Sequence, residues 1–132
     1  MRLVAPLVTV ALVLGASPAR ARDEACEVAD VARVVAIGDV HGAYPELVAV
    51  LRLAGLVDAK ERWAGGKTHL VQTGDITDRG SETRQVMDLL MRLEGEARRA
   101  GGRVHALLGN HEAMNLLGDL RYVTRLGLSI SS

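Results

Sequence analysis

The sequence has one cysteine, Cys26, and therefore no internal disulfide, so an exported chain of this kind depends on its core or on bound metal for stability. It lacks internal repeats, low-complexity tracts and long charge runs. Its amino-terminal apolar run, 3–14, spans about a dozen residues, short of the roughly 20 that a membrane span requires. Sixteen basic and 16 acidic residues cancel, and nothing in that balance asks for nucleic acid. No histidine follows His111. At 132 residues, one domain is the ceiling.

The first 21 residues differ in character from the rest. Arg2 precedes the apolar run, which only Pro6 and Thr9 interrupt, and small residues lead to Ala19 and Ala21. This pattern predicts a secretory signal peptide over 1–21 with cleavage after Ala21; an uncleaved anchor is the alternative. Cys26 follows Asp23, Glu24 and Ala25 rather than an apolar lipobox, so lipid attachment is not expected. Loss of Arg2 and Arg20 leaves 14 basic and 16 acidic residues, a net charge near minus two. The expectation is a bacterial protein exported to the periplasm or secreted, with a flexible mature N-terminus over 22–32 and no stable membrane span after cleavage.

From residue 33 the hydrophobic pattern alternates between strand and helix. The run 33–37 reads as a first strand buried on both faces, stopped by Gly38. A helix follows, with Pro45 in its first turn, an apolar face of Leu47, Val48, Val50, Leu51 and Ala54, and Gly55 as its stop. The run 67–73 reads as a second strand, and Trp63 in the connector before it as a packing residue. Ser81 is the expected cap of a second helix carrying Val86, Leu89, Leu90, Leu93 and Ala97, which ends at Gly101 and Gly102. The run 103–108 is the third strand. This βαβαβ order predicts an α/β fold with parallel strands and right-handed crossovers. Ligands collect at the carboxyl ends of such strands, and there three polar loops begin.

The first loop, GDVHG at 38–42, places Asp39 and His41 two residues apart. In an extended strand end they would leave on the same side and offer a carboxylate and an imidazole to one metal ion. The second, GDITDRG at 74–80, adds Asp75, Asp78 and Arg79, whose planar guanidinium suits a phosphate. Asp78 and Arg79 could instead be a surface ion pair or a helix-start charge. At ordinary residue frequencies, however, GDxxDRG arises by chance on the order of once per million start positions, which weighs against that reading. The third, GNHE at 109–112, supplies Asn110 as a neutral oxygen ligand and His111 as a group able to exchange a proton near neutral pH. Glu112 reads as a hydrogen-bond acceptor behind the site rather than a ligand.

Together these three segments resemble the calcineurin-like metallophosphoesterases in their phosphoprotein phosphatase branch. The stretch 108–123, LGNHEAMNLLGDLRYV, is most similar to bacterial Shewanella-like protein phosphatases. The resemblance covers about 33–123 and implies the amino-terminal βαβαβ half of an αββα sandwich. It implies two adjacent divalent metals, manganese, iron or zinc, with Asp39 and His41 on the first, Asp75 bridging and Asn110 on the second. It also implies that Arg79 and Asn110 hold the substrate phosphate, that His111 protonates the leaving oxygen and that Asp78 orients His111. The expected reaction is hydrolysis of a phosphomonoester, in a phosphorylated protein, peptide or small molecule, by metal-activated water.

The family carries two further histidines and another phosphate-binding arginine downstream. His69 and His105 lie too far back along their strands to replace those histidines and read as ordinary strand residues. The segment 124–132 departs from the family pattern. The expectation is therefore a truncated domain whose second metal site is incomplete, with an open apolar sheet face that favours association. Two other readings stand beside the phosphatase: a truncated non-catalytic fragment with weak metal binding, and a diadenosine polyphosphate hydrolase.

Overall fold

The computed structural model describes residues 28–124. The expected signal peptide, Cys26, most of the 22–32 segment and all but Thr124 of the C-terminal segment lie outside the described residues. Among those described, no helix is long and apolar enough to cross a membrane.

The predicted alternation holds. Strand β1 (Val34–Ile37), helix α1 (Tyr44–Leu53), β2 (His69–Gln72), α2 (Thr83–Arg99), β3 (Arg103–Ala106) and α3 (Asn110–Leu116) follow one another. The strands form a parallel sheet in the order β1-β2-β3, with Val35, Leu70 and Val104 in register. Those three face the core, where Leu47, Val48 and Leu51 of α1 meet Val86, Leu89, Leu90, Leu93 and Ala97 of α2. Trp63 packs against the edge of this core, as its connector position suggested.

Several expectations need correction. Strand β1 is not buried on both faces: Val34 is 58% exposed and Ala36 is also exposed. Both long helices pack on the face of Val35, Leu70 and Val104, and on the other face Val34, Ala36 and Arg103 are exposed. On that open side His105 Nε2 and His69 Nδ1 lie 3.2 Å apart, away from the three loops. All three strands are shorter than predicted: β1 begins one residue later, β2 is trimmed at both ends, and β3 ends two residues early, where the chain leaves the ladder for the third motif. Val50 of the predicted apolar face is 45% exposed. Ser81 does not cap α2, whose N-cap is Glu82 without a side-chain bond. The preceding backbone is held from elsewhere, with Gly80 N–H donating to His41 O at 2.9 Å and Glu82 N–H to Gly42 O at 3.2 Å. The sequence reading also missed α3 and took the third motif for a loop.

Candidate active site

Backbone bonds fasten the first two loops together. The N–H groups of Val40 and His41 both donate to Asp75 O, at 3.0 and 2.9 Å, and Gly42 N–H donates to Ile76 O at 2.8 Å. The third loop reaches the second through Glu112. One oxygen of its carboxylate accepts the N–H groups of Ile76 and Thr77 and the Thr77 hydroxyl, all at 2.9 Å. The other accepts Asp75 N–H at 2.7 Å and Gly109 N–H at 2.9 Å. Partial burial raises the Glu112 pKa, but hydrogen bonds led by those from Thr77 and Gly109 outweigh it and bring it down to about 2. Glu112 is thus the acceptor the sequence suggested, and a more extensive one.

Tight packing of loop on loop explains the glycines at 74 and 109. Gly74 has φ +102°, and a side chain there would strike the backbone of Gly109; one at Gly109 would strike Asp75. Strain accumulates beside them. His41, Asp75, Asp78 and Arg79 have φ of 48°, 55°, 71° and 59°, a left-handed region that costs such residues of order 1 kcal/mol or more each. The bonds to Glu112 and between the loops hold them there.

The imidazole of His41 is prepared for a cation. Its Nδ1 lies 3.0 Å from Thr77 O, and because a carbonyl only accepts, Nδ1 carries the proton and Nε2 keeps its lone pair. That Nε2 is buried and has no hydrogen-bond partner. It lies 3.5 Å from Asp39 Oδ2, and ligand atoms of His41, Asp75 and His111 fall within 4.8 Å of one another. A buried unpaired nitrogen among carboxylates fits a divalent metal ion. Asp39 reaches His41 through a turn rather than the extended strand end expected, since β1 stops at Ile37 and His41 is left-handed. Asn110 is exposed at the first position of α3.

Asp78 and His111 are both buried, at 4% and 3% exposure, and His111 Nδ1 lies 2.8 Å from Asp78 Oδ2. Arg79 Nη2 lies 3.3 Å from His111 Nε2. Arginine has no acceptor, so Nε2 accepts and the Nδ1 proton is donated to Asp78. Proximity groups His111 with His41 and Asp75, yet its two nitrogens already face a carboxylate and a guanidinium. That surrounding suits proton transfer beside an anion better than metal ligation. The burial of Asp78 and its bond to His111 also dispose of the surface ion pair.

Two neighbours escaped the sequence reading. Asn115 Nδ2 donates to Asp78 Oδ1 at 2.9 Å and to Thr77 Oγ1 at 3.1 Å. Tyr122 accepts Arg79 N–H at its carbonyl, at 3.0 Å, and its ring centroid lies 5.1 Å from that of His111. Asn115 stands four residues after His111, one turn along the same helix face, a signal visible only once α3 is recognised.

Residues 32–129 match the calcineurin-like phosphoesterase family. The chain is 49% identical over 96 residues to Shewanella-like protein phosphatase 2 of Arabidopsis thaliana, covering 73% of this chain and 25% of that protein. It is 35% identical over 89 residues to the symmetrical bis(5'-nucleosyl)-tetraphosphatase of Escherichia coli, covering 67% and 26%. Among solved structures it resembles the cold-active protein-tyrosine phosphatase of a psychrophilic Shewanella species. The TM-score is 0.71 at 47% identity, over 73% of this chain and 29% of that one. The chain thus spans between a quarter and a third of the length of these proteins.

Proposed function

The chain belongs to the calcineurin-like phosphoesterase family, and from that membership we propose that it is a metal-dependent hydrolase of phosphomonoesters, on phosphorylated proteins or peptides. The observation that carries the reading is the buried, unpartnered His41 Nε2 beside Asp39, Asp75 and His111. Asp39 and His41 would hold one divalent cation, Asp75 would lie between two, and Asn110 would serve the second. Manganese, iron and zinc all accept such nitrogen and oxygen donors. When bound, the cations supply positive charge against phosphoryl oxygens and acidify water.

The protein's own groups do the rest. Arg79 presents its guanidinium to the phosphate, and Asn110 at the start of α3 assists it. Once Arg79 turns from His111 Nε2 to the phosphate, that nitrogen takes up a proton from water and, as an imidazolium, delivers it to the departing oxygen. Asp78 holds Nδ1 and so keeps the imidazole aimed while it is charged.

Identity to the phosphatase exceeds identity to the tetraphosphatase, 49% against 35%, which favours a phosphomonoester over a dinucleotide. The test is turnover of an aryl phosphate by purified chain with manganese, compared with Asp75→Asn. Turnover that Asp75→Asn abolishes supports the reading, and none in either protein refutes it for this chain. Phosphopeptide and diadenosine tetraphosphate arms separate the two substrate classes. Among the described residues one cluster of His and Asp side chains could hold a metal, which favours one alternative, a non-catalytic unit that binds a single metal weakly. Calorimetry giving two tight sites per chain would exclude it. The leader-like segment 1–21 is proposed to direct export, and the open sheet face to support association.

A further inference from the structure

The Asp78 carboxylate is held from both ends. Its Oδ2 meets His111 Nδ1 at 2.8 Å, and its Oδ1 accepts Asn115 Nδ2 at 2.9 Å. The same Nδ2 reaches Thr77 Oγ1 at 3.1 Å, and that hydroxyl in turn donates to Glu112 at 2.9 Å. Asn115 Oδ1, by contrast, is buried with no partner. The amide cannot turn to satisfy it, because the flipped oxygen would face the carboxylate of Asp78 and the donor would be lost. An amide kept in this orientation at the expense of its own oxygen is fixed by what its nitrogen does.

We infer that Asn115 is a positioning residue, whose amide fastens Asp78 Oδ1 so that Oδ2 stays on His111 Nδ1. Asn115 and His111 are one turn apart on α3, so a single helix carries both the imidazole and the clamp that aligns its partner. The inference rests on the reading of His111 as proton donor and deepens it. It concerns orientation, because the amide bonds of Asn115 go to Thr77 and Asp78 and to none of the residues proposed as metal ligands.

The test is proton NMR of the full chain. The His111–Asp78 pair is buried, so its Nδ1 proton exchanges slowly and gives a far-downfield imidazole resonance, assigned by its disappearance in Asp78→Asn. In Asn115→Ala, whose replacement residue favours helix, this resonance is lost or moves upfield while the backbone amide spectrum stays folded. Leu53→Ala, 90% exposed at the C-terminal end of α1, leaves it unchanged. With manganese and an alkyl phosphate, Asn115→Ala lowers kcat roughly 10- to 100-fold with KM little changed, the loss usual for outer partners that orient a site. Asn115→Asp, which sets a second carboxylate against Asp78, loses more. An unchanged resonance in Asn115→Ala, or no such resonance in the wild-type chain, overturns the inference whatever the turnover. A resonance that responds while the wild-type chain turns nothing over supports the inference and places the failure with the hydrolase reading.

Discussion

Glu112 and Thr77 are joined twice, since one carboxylate oxygen accepts both the amide and the hydroxyl of Thr77 at 2.9 Å. With its bonds to Asp75, Ile76 and Gly109, this side chain fastens the third loop to the second. Glu112→Ala leaves four backbone donors to find other partners. It is expected to cost roughly 2–4 kcal/mol in urea denaturation, given what bonds to charged acceptors contribute.

The same bonds give a pH dependence with a definite sign. The Glu112 pKa lies at about 2 in the folded chain against an ordinary 4.5, so the ionised form stabilises the fold. That contribution is complete above about 4.5 and is lost as pH falls toward 2. Acid unfolding followed by circular dichroism should show the wild-type chain losing stability through this window. Glu112→Gln should be less stable at neutral pH and change less within it. Equal acid sensitivity in the two proteins would contradict the assignment.

His41 Nε2 has no hydrogen-bond partner within the protein, so a cation there should stabilise the fold by mass action. At a manganese concentration one hundred times the dissociation constant the gain is about 2.7 kcal/mol. Wild-type chain should melt at higher temperature with manganese than with chelator. His41→Ala should show little difference between the two conditions. A manganese shift that survives this substitution would place the ion elsewhere.

Replacing His111 by Gln removes the proposed proton donor and is expected to lower kcat about 10²- to 10⁴-fold on alkyl phosphates. Nitrophenyl phosphates, whose leaving group departs as a stable anion, should suffer much less. The ratio of the two losses is the measurement, and equal losses would argue against proton donation.

Leu93 is fully buried between α2 and the sheet, whereas Leu53 at the end of α1 is 90% exposed. Leu93→Ala should cost about 2–5 kcal/mol in chemical denaturation. Leu53→Ala should stay within about 0.5 kcal/mol.

Periodicity alone located five of the six elements, because Leu89, Leu90, Leu93 and Ala97 recur at helical spacing and the strands are short apolar runs ended by glycine. It misjudged β1 and Ser81 for one reason. An apolar run reads the same with one face covered or two, and a serine before a helix reads as a cap unless other contacts hold that backbone. Helix α3 escaped because its seven residues carry no buried apolar stripe, and its only buried residue is His111.

The local sequence therefore determined the alternation of strands and helices, the apolar faces of α1 and α2, and the chemical kinds gathered in three loops: carboxylates, imidazoles, one guanidinium and one amide. Tertiary structure decided how those groups meet. The left-handed turns at His41, Asp75, Asp78 and Arg79, the reach of Glu112 across two loops and the grip of Asn115 on Asp78 all depend on contacts between residues more than 30 positions apart. Their physical basis is mutual satisfaction of backbone and side-chain polar groups across separate loops, which no single segment encodes.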